Sequence, residues 1–481
     1  MRLTSTLSIF ACLIFSPAAW GQVSAAMQWD VRELANGDGG GGFVAGASGS
    51  DYSQQQSPEA TYTDLVIGAG GSEDELSSSA RPFIGDDVGN VIHVTGGTGF
   101  TTGRYEILSV NTGIATVDRG VGTADSTGGA GNLGGSLDLA DARVVLAGEA
   151  VAGNTVWFQS DPESPYDLGG TTFTITSAGD ETSGALTIAG YADTHGDGGK
   201  ATFFEDGDNV NVFTLNNADW TTFRDLIVDH DGTNTSAGYA FIGTASASGN
   251  LRFIRVTTDG ALRFTITQSS GVQTFGMSEC EVLNCQAGGA VWIAHSLTIP
   301  IQGCLFRGNT GANVYVGNTS PTLQIAKTEI EGGTIGVQID ATNAQPELSL
   351  IDNVITGQTT AGVQNAANTQ RLLLNGHGNV FWDCEIGFND LDGDVVTNAN
   401  SNFNHNAFGG NATADRVGLA AGANDVALTV DPFVDAAGGD YRPNAIAGGG
   451  RSLRGAGLVG RDIGAKQGGQ LFPIFGGAIL R

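Results

Sequence analysis

Apolar pairs, two residues apart, recur about every 24 residues in the second half of the chain: Leu251/Phe253, Phe275/Met277, Ile299/Ile301, Leu323/Ile325, Leu348/Leu350 and Leu372/Leu374. A spacing of two puts both members of a pair on one face of a strand. A period near 24 marks a solenoid, whose single repeat cannot bury its apolar face without neighbours. A second column keeps the step at Val282, Phe306, Ile330, Ile355 and Phe381, each preceded two residues earlier by Cys280, Cys304, Thr328, Asn353 and Asn379. A third holds Val291, Val314, Val337, Val363 and Phe388. Three inward columns predict three short strands per turn, stacked in parallel about 4.8 Å apart. Regular rungs are expected over about 220–410. Each buried Val, Leu, Ile or Phe contributes about 1.5–3 kcal/mol, so the stack tolerates single defects.

Upstream the pattern changes. Residues 27–60 are polar and glycine-rich and read as a linker. Over 61–128, Asn90–Val94 reads as a strand, and 104–110 with 113–117 as a hairpin across Asn111-Thr112. That predicts a small β barrel or sandwich, followed by a glycine-rich hinge over 120–135. The solenoid is expected over 136–430, opening with a capping helix at Leu137–Ala142 and early strands at 154–158 and 185–188. Residues 431–481 form a closing segment and an apolar tail, which caps the last rung or packs against another subunit, as in a homo-oligomer.

Composition adds a compartment. Residues 1–26 carry the marks of a secretory signal: Arg2, the apolar stretch Leu7–Phe15, and a cleavage site at Ser24-Ala25-Ala26, with Ala19-Trp20-Gly21 as rival. No stretch is long enough for a transmembrane helix. An extracellular or cell-surface location is expected. The net charge of −29 becomes −30 on losing Arg2, and only Lys200, Lys327 and Lys466 are lysines. That field excludes nucleic acid and anionic membrane as partners. The 75 glycines suit a chain that must turn several times per rung.

At this point the chain resembles the right-handed parallel β-helix proteins of the pectin-lyase-like superfamily, over about residues 140–430. The resemblance rests on the rung period and on Gly153-Asn154-Thr155-Val156-Trp157 followed by Leu186-Thr187-Ile188-Ala189-Gly190-Tyr191. Asp431-Pro432-Phe433-Val434-Asp435 and Arg461-Asp462-Ile463-Gly464-Ala465 look like closing segments of such proteins. It implies a right-handed parallel β-helix solenoid, which with the small N-terminal β domain read from the strand pattern makes an all-β fold. It leaves chemistry open, because the fold hosts lyases, hydrolases, adhesins and tailspikes.

Candidate chemistry is sparse. Gly376-His377-Gly378 matches a polygalacturonase motif, but the accompanying carboxylates are missing, and a tight turn explains it more simply. Asp383 and Glu385 would share a face of a strand about 6.5–7 Å apart, a separation that suits inverting hydrolysis. Arg252, Arg255, Arg263, Arg307, Lys327 and Arg371 fall in no single column, so no lyase base emerges. No catalytic residue is assigned. Asp390, Asp392 and Asp394 crowd one turn and suit a hard cation, with calcium the candidate cofactor. The best binding candidate is the outward column Trp292, Tyr315, Gln338, Gln364 and Asn389, a flat strip for stacking a sugar ring and bonding its hydroxyls. Cys280 and Cys304 share an inward column, either bonded or as an unbonded stack. The expected role is an extracellular structural or carbohydrate-recognition element for a polysaccharide or surface glycan. A polysaccharide lyase or hydrolase is the alternative, and a virion appendage the third.

Overall fold

The computed structural model describes residues 23–464 apart from 36, 69–71, 162–163, 217–218, 233–237, 244–249, 265–273, 287, 294–297, 318–319, 341–344, 367–371 and 392–402. Residues 1–22 of the expected signal at 1–26, Asp392, Asp394 and the tail beyond residue 464 therefore lie outside the described residues. Two compact units emerge, one built on 38–135 and the other on 25–37 with 136–464.

In the smaller unit, six strands close an antiparallel barrel: Ala60–Ile67, Glu75–Ser77, Val91–Gly96, Gly103–Asn111, Ile114–Val117 and Thr127–Leu133. The hairpin turns at Thr112 and Gly113, both left-handed at φ 49° and 82°, the backbone that matches strand twist. Tyr62, Leu65, Ile92, Tyr105, Ile107 and Leu133 fill the barrel.

The larger unit is a parallel β-helix. Its first sheet runs from Thr155–Gln159 through Leu186–Tyr191, Asn250–Ile254, Thr298–Gln302 and Thr322–Ala326 to Leu373–His377. Ile299 pairs with Leu323, Leu323 with Leu348, and Ile301 with Ile325. In the second sheet Val282, Phe306, Ile330, Ile355 and Phe381 follow one another in register. Early rungs fill the interior with rings: Phe213 stacks on Phe241 at 5.1 Å, and Phe223 on Phe253 at 5.2 Å. Asp138 caps the helix Leu139–Val144 by accepting from the Asp141 amide at 2.8 Å.

Register corrects the sequence reading at one end. Leu348 pairs with Leu374 and Leu350 with Gly376, so Leu372 is not the partner of Leu348. The rung has lengthened to 26 residues, a step also seen from Asn353 to Asn379. Gly376 leaves room that Phe403 takes: a Cβ there would lie 2.9 Å from the Phe403 ring. Residues 27–31, expected in a linker, form the strand Met27–Val31 paired with Thr155–Gln159. Met27, Trp29 and Val31 alternate inward and are fully buried, which outweighs the polar neighbourhood.

From Asp225 onward the first corner of the rungs turns on one left-handed residue. Asp225, Arg255, Glu279, Gly303, Lys327, Asp352, Gly378 and His405 have φ between 52° and 73°. Asn284, Gly308, Gly332, Gly357, Asp383 and Gly410 do the same at the next corner. The segment after residue 431 lies against the second sheet, where Phe433, Tyr441, Leu453 and Ile463 pack with Val354, Val380, Ala407 and Leu428.

Candidate functional site

The third sheet carries the outward column. Val291–Ile293, Ala312–Val316, Ile335–Ile339, Ala361–Asn365, Ile386–Asp390 and Ala414–Val417 pair in parallel. Trp292 aligns with Tyr315, Tyr315 with Gln338, Gln338 with Gln364, and Gln364 with Asn389. The neighbours Val291, Val314, Val337 and Val363 are buried, while Trp292, Tyr315, Gln338 and Gln364 are half-buried. Alternation along each strand makes this unavoidable once the valines face inward.

The strip is not flat. The rings of Trp292 and Tyr315 meet edge to face, 5.4 Å apart and 82° between planes, as ring quadrupoles prefer. The Arg263 guanidinium lies 4.0 Å from the Trp292 ring centre, so a cation covers one face. Burial lowers the Arg263 pKa from its usual value. Tyr315 donates its hydroxyl to Asp340 Oδ2 at 3.0 Å. Burial first, then that carboxylate, pushes its phenol up to about 12. Gly289, at φ 82°, keeps the ring's approach open, since a Cβ would lie 3.1 Å from the Tyr315 Cβ. The site therefore offers a Trp–Tyr corner flanked by Arg263 and Asp340 and continued by amides. It can place aromatic carbon against the CH face of a sugar and donors and acceptors against its hydroxyls.

Asp390 is buried, and its Oδ1 accepts from Asn365 Nδ2 at 2.9 Å, so that oxygen already serves the stack. In Gly376-His377-Gly378 the first two residues end the strand Leu373–His377, and Gly378 alone makes the corner, at φ 73°. Asp383 sits on a left-handed corner between Val380–Trp382 and Ile386–Asp390, so Asp383 and Glu385 do not share a strand face. The four described cysteines are unbonded and buried. Burial pushes the Cys285 and Cys384 thiols up to about 12, which removes them as nucleophiles at neutral pH.

One constellation escaped the sequence reading. Asp30, fully buried, accepts at Oδ1 from Arg32 Nε at 2.9 Å. Its Oδ2 accepts from the Tyr191 hydroxyl at 2.7 Å and pairs with His195 Nε2 at 2.9 Å. His195 also stacks on Trp157, 4.8 Å away and 6° from parallel. Asp197 holds the His195 loop by accepting from the backbone of Ala192, Asp193, Thr194 and Gly199. A separation of 165 residues between Asp30 and His195 leaves no local signal. Strand pairing of Asp30 with Trp157 is what brings them together.

No family model matches the chain, and no curated protein matches it. Solved structures share part of its shape. Pectate lyase Pel9A is 14% identical with a TM-score of 0.40, covering 69% of this chain and 91% of its own. Tailspike protein 3 of bacteriophage CBA120 is 11% identical with a TM-score of 0.25, covering 60% of this chain and 59% of its own. The Gp54 tailspike of Acinetobacter baumannii bacteriophage AP22, solved with a capsular saccharide, is 10% identical with a TM-score of 0.19, covering 79% of this chain and 64% of its own. Likenesses this distant decide nothing about chemistry. The strand register above defines this chain as a parallel β-helix protein. No helix among the described residues is long and apolar enough to cross a membrane.

Proposed function

We propose that the protein is an exported β-helix protein that binds a glycan along the outer face of its third sheet, without catalysis. The observation that carries this reading is the register of Trp292, Tyr315, Gln338 and Gln364, four half-buried side chains of sugar-binding type on four consecutive rungs. A rigid sheet holds them with little ordering cost on binding. The Arg2 and Leu7–Phe15 segment and the acidic composition support export. A glycan array tests the reading. Wild type should bind a defined set of oligosaccharides, and Trp292→Ala should lose them. An unchanged profile for Trp292→Ala would reject the strip as the binding face.

A second reading, a polysaccharide lyase or hydrolase, is favoured by the Asp30–His195 pair. His195 uses Nε2 on Asp30, which leaves Nδ1 as the atom available for proton transfer. Turnover of a uronate polysaccharide, seen as ultraviolet absorbance of unsaturated product and abolished by His195→Ala, would establish this reading over the first.

A further inference from the structure

We propose that a cleft in the C-terminal segment binds a sugar carrying one carboxylate or sulfate group. The cleft measures about 410 Å³ and is lined by Val434, Arg442, Pro443, Arg454 and Asp462, within the size range of small-molecule sites.

Local charge opposes the charge of the whole. The chain carries −29, yet the stretch Asp440 to Asp462 sets four arginines, Arg442, Arg451, Arg454 and Arg461, against only the two carboxylates at its ends, a local charge of +2. The distant acidic surface is screened within about 8 Å at physiological salt, so a small anion at the cleft senses chiefly these arginines together with Asp440 and the lining Asp462. Arg442 is held by Asp440 through contacts of 2.5 and 2.8 Å. Arg454 has no carboxylate partner among the described residues, and its Nη2 donates to the Pro443 carbonyl at 3.3 Å. The rest of that planar fork suits a bidentate carboxylate or sulfate.

The lining is built on fixed points. Val434, Arg442, Arg454 and Asp462 each adjoin a buried anchor, namely Phe433, Tyr441, Leu453 and Ile463, all packed in one core cluster. Phe433–Asp435 and Asp440–Pro443 pair as an antiparallel hairpin. Asn444 ties the segment together, its Nδ2 donating to the Asp431 and Phe433 carbonyls at 2.8 Å each. Its Oδ1 accepts from the Gly450 amide at 3.0 Å. Asp462 accepts from the Gly455 amide at 2.9 Å. The cleft thus sets a cationic fork, an acceptor for hydroxyls and two apolar side chains around one space. An anionic polyol with an apolar ring face has that same combination of groups.

Calorimetric titration of the full chain tests this with D-glucuronate, D-glucose 6-sulfate, D-glucose and inorganic sulfate. At least one anionic sugar should bind about tenfold or more tighter than glucose and than inorganic sulfate, about 1.4 kcal/mol. The tighter of the two names the anionic group. Arg454→Gln should lose that preference, and Arg451→Gln, which removes the same charge outside the lining, should keep it. Equal affinity for glucose, equal affinity for inorganic sulfate, or an equal loss in Arg451→Gln would each overturn the proposal. Since none of these residues belongs to the third sheet, failure here leaves the Trp292 reading standing.

Discussion

Asn353 donates its side-chain Nδ2 to Asn379 Oδ1 on the next rung at 2.9 Å, and its backbone amide to the same oxygen at 3.1 Å. Asn379 repeats the pattern on Asn406, at 2.8 and 3.1 Å. Each also caps a carbonyl of the first sheet, Ile325 for Asn353 and Leu350 for Asn379. The Asn406 amide ends the ladder on Asp425 Oδ1, whose other oxygen pairs with Arg416 at 2.6 Å. Buried corner amides, which no strand ladder can reach, are satisfied this way along the interior.

Asn379→Ala should therefore be costly. It removes the Asn379 oxygen that both the Asn353 backbone amide and Asn353 Nδ2 donate to, and the side-chain donor to the Leu350 carbonyl, all in a fully buried position. Urea unfolding should show a loss of about 2–4 kcal/mol, since an orphaned buried polar group costs about 1–3 kcal/mol. A loss under about 0.5 kcal/mol would mean the ladder contributes little.

The left-handed corners predict an asymmetry. Lys327 sits at φ 52°, between Gly303 at 64° in the preceding rung and Asp352 at 54° in the next. Lys327→Gly should change stability by under about 1 kcal/mol. Lys327→Val, forced into a conformation that branched residues avoid, should lose about 1–3 kcal/mol. Equal effects in denaturant titration would remove the backbone explanation.

Asp229 gives a pH signature. Burial, then the neighbouring Asp259 and Asp231, raise its pKa above the ordinary 3.8. A carboxyl raised in the folded state binds protons more tightly there than in the unfolded chain. Stability then falls as pH rises from the unfolded value through the folded one. Asp229→Asn should thus be more stable than wild type at pH 7, and the two should converge once pH drops well below 3.8. A gain that persists unchanged in acid would refute the electrostatic cause.

On the proposed export, signal cleavage should fall before Val23. Val23 is buried, and the Ser24 amide donates to Glu106 Oε2 at 2.7 Å. Gly153 accommodates Ala25, whose carbonyl would lie 2.8 Å from a Cβ at that glycine. Cleavage after Ala26 would discard all three contacts, whereas cleavage after Gly21 keeps them. Amino-terminal sequencing of the exported protein should begin at Gln22, and a start at Met27 would contradict this.

The sequence displayed the rungs because their signal is a period of apolar residues, and Val282, Phe306, Ile330, Ile355 and Phe381 fall in register as expected. It hid Met27–Val31 because that strand's partner lies 127 residues downstream. It misplaced Leu372 because a lengthened loop shifts the register without changing residue type. Asp383 and Glu385 misled because a left-handed corner breaks the alternation assumed for them. The outward column was legible as positions. Its ring angles and the Arg263 contact were not, since they depend on packing between side chains distant in sequence.

The central claim is that six rungs set Trp292, Tyr315, Gln338, Gln364, Asn389 and Val417 in one column. Spin labels on Trp292→Cys and Val417→Cys, with the native buried thiols left unlabelled, measure it directly. Five rung steps predict one narrow distance distribution centred near 24 Å, about 4.8 Å per step. A broad distribution, or a centre displaced by about 10 Å, two steps or more, would contradict the account.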